Sequence, residues 1–540
     1  MDTLIPLAVL WPLALAVAMV SRASRPAATR LAPLAPLPAL LLAIGAPSGL
    51  ALHVPWLLLG SHFEIDETGR LFLGFSALVW LLAGWYARGY LRDDLRRHLF
   101  WAFFLVTQAG NLGATLAADA ASFYLHFAPM TLAAYGLVIH SRSAESRRAG
   151  MVYIVMALLG EAALLAGILL AVGAAGSILL GDIAATPLSL AAVALLLVGF
   201  GVKVGVPLLH MWLPLAHPVA PTPASAVLSA VIIKAGLLGW LRFLPLGTVA
   251  LPEVGVALMV AGLAAIVLGV AFGLAQRDAK VLLAYSSVGQ MGYLTLAVGA
   301  GLRAPELWPL LLPAVGFYAL HHALAKGALF LGVGVARAHG GRAWVLAGLA
   351  LPALALAGAP FLSGMLAKSL LKPGLAGQGE FLAALPLLLD LAAVGTALLM
   401  ARLLVLLAAA KPGHGGSGLV VPWLVLVLAG GAVPWWLAPP GALDAFADLP
   451  AVTAALWPVA LALALALVAQ RAGWRAPSLP PGDILVPLER LWARVPPPIL
   501  PWARRTTGRW RRRARRLALR LVRAVRRGVR RHPRRSITPR

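Results

Sequence analysis

Nine ionisable side chains stand in stretches whose other residues would suit lipid. Glu161 lies in MVYIVMALLGEAALLAG, Lys203 and His210 in GVKVGVPLLH, and Lys234 in AVIIKAG. His321, His322 and Lys326 lie in FYALHHALAKGALFLG, Lys368 closes LAGAPFLSGMLAK, and Asp390 lies in LPLLLDLAAV. An ionisable group at membrane depth costs at least about 2.5–3.5 kcal/mol on insertion scales, so such groups usually face a bundle interior or a water path. Histidine and desolvated lysine both exchange protons within reach of physiological pH, and a neighbouring charge decides when. His322 and Lys326, four residues apart, share a helical face. Lys203 and His210, seven apart, would share nearly the same face two turns on. These types and spacings predict a proton relay. The structural alternative is a Lys or His satisfied by backbone carbonyls, or snorkelling from a span end, and it weighs most at Lys368 and Asp390. His217, beyond a break expected at Pro214, is expected to line a loop mouth, and Tyr135 and Asn111 to pack.

The elements that carry these groups are helices. The chain has 540 residues, 61% hydrophobic and 12% charged, about half the charged fraction of a soluble protein. Apolar runs of about 20 residues recur, and no alternating barrel pattern competes with them. The expectation is an all-α polytopic membrane protein of about 14–15 transmembrane helices. The second is placed over 31–58 and the last over 450–470. Lys and Arg gather in 21–30, 87–98, 140–150 and the C-terminal tail, whereas 61–70 and 439–450 are acid-rich. That asymmetry predicts an inner-membrane protein with its N-terminus outside and its C-terminus cytoplasmic. Gly205 and Pro207 interrupt span seven, and Gly358 and Pro360 interrupt span twelve, each pair close to a lysine. Paired breaks predict two inverted five-helix repeats with a conduction site, helices 4–8 in 99–246 and helices 9–13 in 252–408. Three helices in 1–98 precede them. C-terminal helices in 419–470 and a basic cytoplasmic tail in 471–540 follow.

Composition also excludes chemistry. There is no cysteine, so disulfides, thiolate zinc sites and cysteine-held iron–sulfur clusters are ruled out. Neither a phosphate-binding GxxxxGK[ST] loop nor a GxGxxG after a strand is present. No cofactor or metal site is expected, and the driving force must come from a gradient or a partner. Residues 501–540 hold 17 arginines and no acidic residue, which leaves +9 of the net +26 charge for the rest. Trp510, Leu517, Leu521, Val525 and Val529 recur among them at roughly helical spacing. Beside a membrane domain this predicts an interfacial helix with Arg511, Arg512, Arg515 and Arg516 on anionic lipid, and no nucleic-acid partner. A solvated disordered end is the alternative for the last ten residues, with Pro533 and Pro539.

With these features set out, KVGVPLLHMWLPLAHPVAPTPASAVLSAVIIKAG resembles the signature of a known family. It is that of the antiporter-like membrane subunits of respiratory complex I, membrane-bound hydrogenases and Mrp-type cation/proton antiporters. DAKVLLAYSSVGQMGYLTLAVG (278–299) and FYALHHALAKGALFLGVG (317–334) resemble its later blocks, and the likeness covers about residues 50–410. The resemblance implies that Lys203 is the lysine of the broken seventh helix and Lys234 that of the eighth. It makes His322 and Lys326 connecting residues, and Lys368 the ionisable residue of the broken twelfth helix. Together they would form a hydrated polar axis along the membrane midplane. One departure stands out: the family's fifth-helix glutamate, in a pattern like FFE-x-M-[ST]-L, is Ala128 here, within HFAPMTLAAYG. Glu161 is the candidate replacement carboxylate. No hydrophobic anchor is expected after span fifteen, where the distal complex I subunit continues into a long lateral helix and a final span. The implied function is proton (or Na+) translocation as one subunit of a hetero-oligomeric complex, not catalytic alone. The alternatives are a proton-conducting subunit of a two-component inorganic-carbon uptake system and a non-conducting membrane anchor for a cytoplasmic partner.

Overall fold

A computed structural model describes residues 3–376, 384–413, 418–473 and 479–482, all within one compact unit. The tail arginines Arg511, Arg512, Arg515 and Arg516 lie outside the described residues. Among the described residues, apolar runs closed by Pro, Gly or short polar turns give twenty α-helices. They are α1 (Leu4–Ala18), α2 (Arg25–Leu31), α3 (Leu37–Gly45), α4 (Glu67–Tyr90), α5 (Arg97–Leu116), α6 (Ala120–Val138) and α7 (Ala144–Ala175). Then come α8 (Leu180–Ala185), α9 (Leu190–Val204), α10 (Trp212–Val219), α11 (Thr222–Val227), α12 (Ile233–Phe243), α13 (Pro252–Leu274) and α14 (Ala279–Arg303). The series ends with α15 (Trp308–His339), α16 (Ala343–Ala357), α17 (Ser363–Ala376), α18 (Leu385–Ala408), α19 (Val420–Trp436) and α20 (Leu449–Arg471). Among the described residues, 10 runs are long and apolar enough to cross a membrane, and α1, α9, α16 and α19 are shorter apolar helices. The chain is an all-α polytopic membrane protein.

Span two differs from expectation. The apolar run is Arg25–Gly45, and 46–66 turns instead into a hairpin of β1 (Leu50–Val54) and β2 (Ser61–Ile65). Pro47 and Gly49 (φ 79°) stop the helix, and SHFEI alternates burial as a strand does. Asp119 secures the hairpin: it accepts from the His62 N–H at 2.7 Å and caps α6 through the Ser122 N–H at 2.7 Å.

Two helices form the centre. Nearly every residue of α14 is buried, and so is most of α15. The α13–α14 seam is built on small residues at seven-residue spacing. A Cβ on Gly255, Gly262 or Gly269 would lie 2.6–2.7 Å from backbone atoms of Gly299, Gly292, and Gly289 or Tyr285. Only glycine allows that approach, and it brings backbone against backbone where no hydrophobic effect drives helices together.

Interhelical ties sort the loops into two faces. On one, Arg242 pairs with Asp66 at 2.6 Å, and Thr248 donates to the Ala184 carbonyl at 3.0 Å. On the other, His140 meets Asp94 at 2.9 Å and Arg337 meets Asp278 at 2.9 Å. The basic loops 21–30, 87–98 and 140–150 all fall on this second face, as alternate crossings require.

Candidate functional site

Two helix breaks frame the site, and they share one geometry. Gly205 (φ 83°) and Gly358 (φ 86°) both end their helices in the left-handed region, where glycine has no Cβ penalty. In each, two successive N–H groups return to one carbonyl: Gly205 and Val206 to Gly201, Gly358 and Ala359 to Leu354. Three residues past each glycine a second left-handed residue follows, Leu208 (φ 72°) and Phe361 (φ 63°). Pro207 and Pro360 occupy matching places between them, so GVPLLH and GAPFLS are one turn built twice. The freed carbonyls find different partners. The Trp212 indole N–H donates to Val202 at 2.7 Å, whereas Lys368 Nζ itself donates to Ala357 at 2.7 Å. The C-terminal ends of the broken helices carry partial negative charge, which favours an ammonium there.

The first group of residues surrounds Lys203, in the last turn of α9. It is buried, donates to the Tyr153 hydroxyl at 3.0 Å, and lies over the Tyr153 and Trp212 rings at 5.0 and 5.6 Å. Tyr153 in turn donates to the Thr131 carbonyl at 2.8 Å. Glu161 shares the buried face of α7 with Tyr153, and its Oε2 has no hydrogen-bond partner among the described residues. Gly160 brings that face against α9, since a Cβ there would lie 3.0 Å from Val202 Cγ2. Lys203 and Glu161 are in electrostatic range of one another. Position 128 holds an alanine.

The central group joins three helices. A π turn over Leu228–Ile232 precedes α12, and Lys234 Nζ donates to the Ser229 carbonyl at 2.9 Å. Ser229 Oγ contacts Ser287 Oγ at 2.7 Å, and Ser287 donates to the Leu283 carbonyl at 2.9 Å. Lys326 Nζ donates to that same carbonyl at 3.0 Å. His322 is fully buried, neither ring nitrogen has a partner among the described residues, and it is in electrostatic range of Lys234 and Lys326. An unpartnered buried imidazole is costly unless it is used or hydrated.

The third group lies at the second break. His321 Nδ1 contacts Ser363 Oγ at 2.8 Å, at the start of α17. Lys368 is partly buried, 5.9 Å from the Tyr293 ring centre. A cavity of about 30 Å³ touches Tyr293, Lys368, Lys372 and Asp390, and Lys372 pairs with Asp390 at 3.1 Å. Tyr318 and Gln290 extend the polar interior towards Thr396, at 2.7 and 3.3 Å.

Several expectations need correction. Lys203 and His210 do not share a helix face, because α9 ends at Val204. His210 lies past the break, buried, with its ring 6.5 Å from Tyr285. Pro214 breaks nothing: it sits in the first turn of α10, where proline is tolerated. His217 lines no loop mouth but is fully buried and stacks on Phe330 at 4.8 Å. Asn111 packs as expected: it accepts from the Trp80 indole N–H at 2.9 Å. Missed altogether were Tyr153, Ser229, Ser287, Ser363, Lys372 and Lys280. Lys280 is buried and donates to Ala220 and Ser225 at 2.8 and 3.1 Å. Lys280 was visible in DAKVLL, as the second residue of a span, where it reads as an interfacial residue.

Fold and site together define a polytopic helical membrane protein with two matched broken helices and a lysine- and histidine-bearing interior between them. Residues 117–384 match the family described as NADH:quinone oxidoreductase/Mrp antiporter, TM. The chain belongs to this antiporter-like membrane subunit family. It is 34% identical over 292 residues to hydrogenase-4 component B of Escherichia coli strain K12, covering 51% of this chain and 44% of that one. It is 33% identical over 269 residues to NADH-quinone oxidoreductase subunit N of Desulforudis audaxviator, covering 48% and 52%. The chain thus spans about half the length of the curated relatives it matches. The Mrp complex of Dietzia sp. DQ12-45-1b shares its fold, with a TM-score of 0.68 at 23% identity over 96% of this chain and 60% of that one.

Proposed function

We propose that this chain is a proton-translocating subunit of a multi-subunit membrane complex, with residues 99–246 and 252–408 as two half-channels. Lys203, Lys234, His322, Lys326 and Lys368 pass the proton, and Glu161 stands in for the missing fifth-helix glutamate as the counter-charge of Lys203. His210 lines the first break. The observation that carries this reading is the central group. Two lysines from different helices are tied through Ser229, Ser287 and the Leu283 carbonyl, with an unpartnered histidine in range of both. Like charges so close in a low-dielectric interior oppose one another, so a proton arriving at one favours release from the next. That coupling lets a charge change at one break be felt at the other.

The relatives carry the words component and subunit in their names, which supports a role beside other subunits. The inner membrane, with the basic loops and the C-terminus on the cytoplasmic side, is the location that follows from the charge asymmetry. The test is proton flux into liposomes holding the chain with its partner subunits, read by an internal pH dye under an imposed gradient. Lys234→Ala and Lys326→Ala should each abolish flux, and Na+ should neither replace nor compete with protons. Flux unchanged in both variants would refute the relay and leave a membrane anchor.

A further inference from the structure

We propose that the cleft on the face of the basic loops holds the phosphate headgroup of an anionic phospholipid. The cleft has a volume of about 740 Å³ and lies between α2, the end of α4, the turn after it and the start of α5. Arg25, Arg30, Arg88, Arg92 and Arg97 line it, and no lining residue is acidic. Two of these arginines are held in place by backbone carbonyls: Arg25 donates to Met19 and Val20 at 2.7 and 3.0 Å, and Arg97 to Arg92 at 3.1 Å. Asp93 and Asp94 stand between the lining residues Arg92 and Leu95 in the chain and do not line the cleft. Asp94 is engaged by His140 at 2.9 Å and by the Arg96 N–H at 2.6 Å. Several guanidinium groups converging without carboxylates match phosphate oxygens, which they can bind in pairs.

The rim decides between a lipid and a free anion. Trp85 and Leu95 line the same cleft and are 42% and 95% exposed, and Val20, whose carbonyl Arg25 holds, is 74% exposed. An apolar rim at the ends of membrane-crossing helices, with Trp85 on α4 and Val20 and Leu95 in the adjoining turns, suits a headgroup whose chains run down the outside of the bundle. An inorganic anion makes no use of it.

The test uses the full chain, purified and reconstituted in phosphatidylcholine with or without phosphatidylglycerol. Retained lipid is counted by native mass spectrometry and stability is read by thermal unfolding. Phosphatidylglycerol should be retained and should raise the melting temperature. Arg88→Gln/Arg92→Gln should retain it roughly thirty-fold less, from about 1 kcal/mol per arginine near the surface. Arg88→Lys/Arg92→Lys should restore most of the retention, which guards against a mere folding defect. A variant with Gln at 511, 512, 515 and 516 should retain the lipid as the wild type does. Undiminished retention in the double Gln variant overturns the proposal, as does loss only in the tail variant. Equal stabilisation by inorganic phosphate in phosphatidylcholine alone also overturns it, and makes the cleft a site for a soluble anion.

Discussion

Replacing Lys326 by Met should abolish proton flux while leaving the fold as stable as before, or more so. The side chain is fully buried, and its Nζ donates to the Leu283 carbonyl at 3.0 Å. Removing an amine from membrane depth recovers about 2.5–3.5 kcal/mol on insertion scales. The lost hydrogen bond to a charged donor returns about 1.5–3 kcal/mol of that. Leu283 keeps a donor, because Ser287 also reaches it at 2.9 Å, so no orphaned carbonyl adds to the cost. Methionine is unbranched and adaptable enough to fill the space of the lysine stem. The balance is a change between about 0 and +2 kcal/mol in favour of the variant. The assay pairs thermal unfolding of the purified chain with flux in the reconstituted complex. A loss of more than about 1 kcal/mol with flux retained would refute the reasoning, and would mean that Lys326 is a packing residue satisfied by a carbonyl.

Three further outcomes follow. Tyr153→Phe removes the hydroxyl that accepts from Lys203 and donates to Thr131; it should cost about 1–3 kcal/mol and slow flux, with Glu161→Gln also slowing flux but leaving the melting temperature close to wild type. Gly205→Ala and Gly358→Ala should lose similar stability, about 1–2 kcal/mol for a left-handed residue. Only the second should impair Lys368, since the new Cβ would lie 2.8 Å from its Nζ, whereas at 205 it meets Leu213 at 2.6 Å; equal flux in the two variants would count against this. At Asp66, burial pushes the carboxyl up, but the Arg242 guanidinium and the Gly69 N–H outweigh it and hold it below its ordinary 3.8. A carboxyl depressed in the folded state stabilises fully above its unfolded value and loses that contribution as pH falls through the folded one. Asp66→Asn should therefore lower the melting temperature at pH 7 and reduce its further decline below about pH 4, as followed by unfolding scans across pH.

How much was legible in the residues themselves depends on how local each feature is. The breaks were, because Gly205, Pro207, Gly358 and Pro360 are chain-local signals: a left-handed residue needs glycine, and proline withholds a donor wherever it stands. So were Lys203, Lys234, Lys326 and Glu161, since an ionisable residue in an apolar run stands out without any knowledge of its neighbours. Their partners were not. Ser229 and Ser287 are common residue types 58 positions apart in sequence, and only the approach of the π turn before α12 to α14 makes them one link. Tyr153 is an ordinary span tyrosine until α7 packs on α9 through Gly160. The hairpin at 50–65 was hidden because a short apolar run bounded by turn residues reads equally as the end of a helix. His210 shows the opposite error: helical periodicity was carried across Gly205, although the glycine that marks the break also resets the face.

That contrast bears on what evolution can alter here at low cost. The turn geometry is repeated at both breaks down to the two left-handed residues, yet the cation sits on opposite sides of it: Lys203 before the first, Lys368 after the second. Each nonetheless stands at the C-terminal end of a broken helix, Lys203 within its last turn and with its amine on the Tyr153 hydroxyl, Lys368 by reaching back to Ala357. What is held constant is therefore the electrostatic setting made by the freed carbonyls, not the position of the lysine. On the proposed reading the same logic lets Glu161 on α7 serve in place of the carboxylate that the family resemblance expects at position 128 on α6. Lys203 needs a negative charge in range, and either helix packed beside it can supply one. On this argument an Ala128→Glu/Glu161→Ala exchange should retain more flux than Glu161→Ala alone, and the absence of any recovery would show that Glu161 serves another purpose.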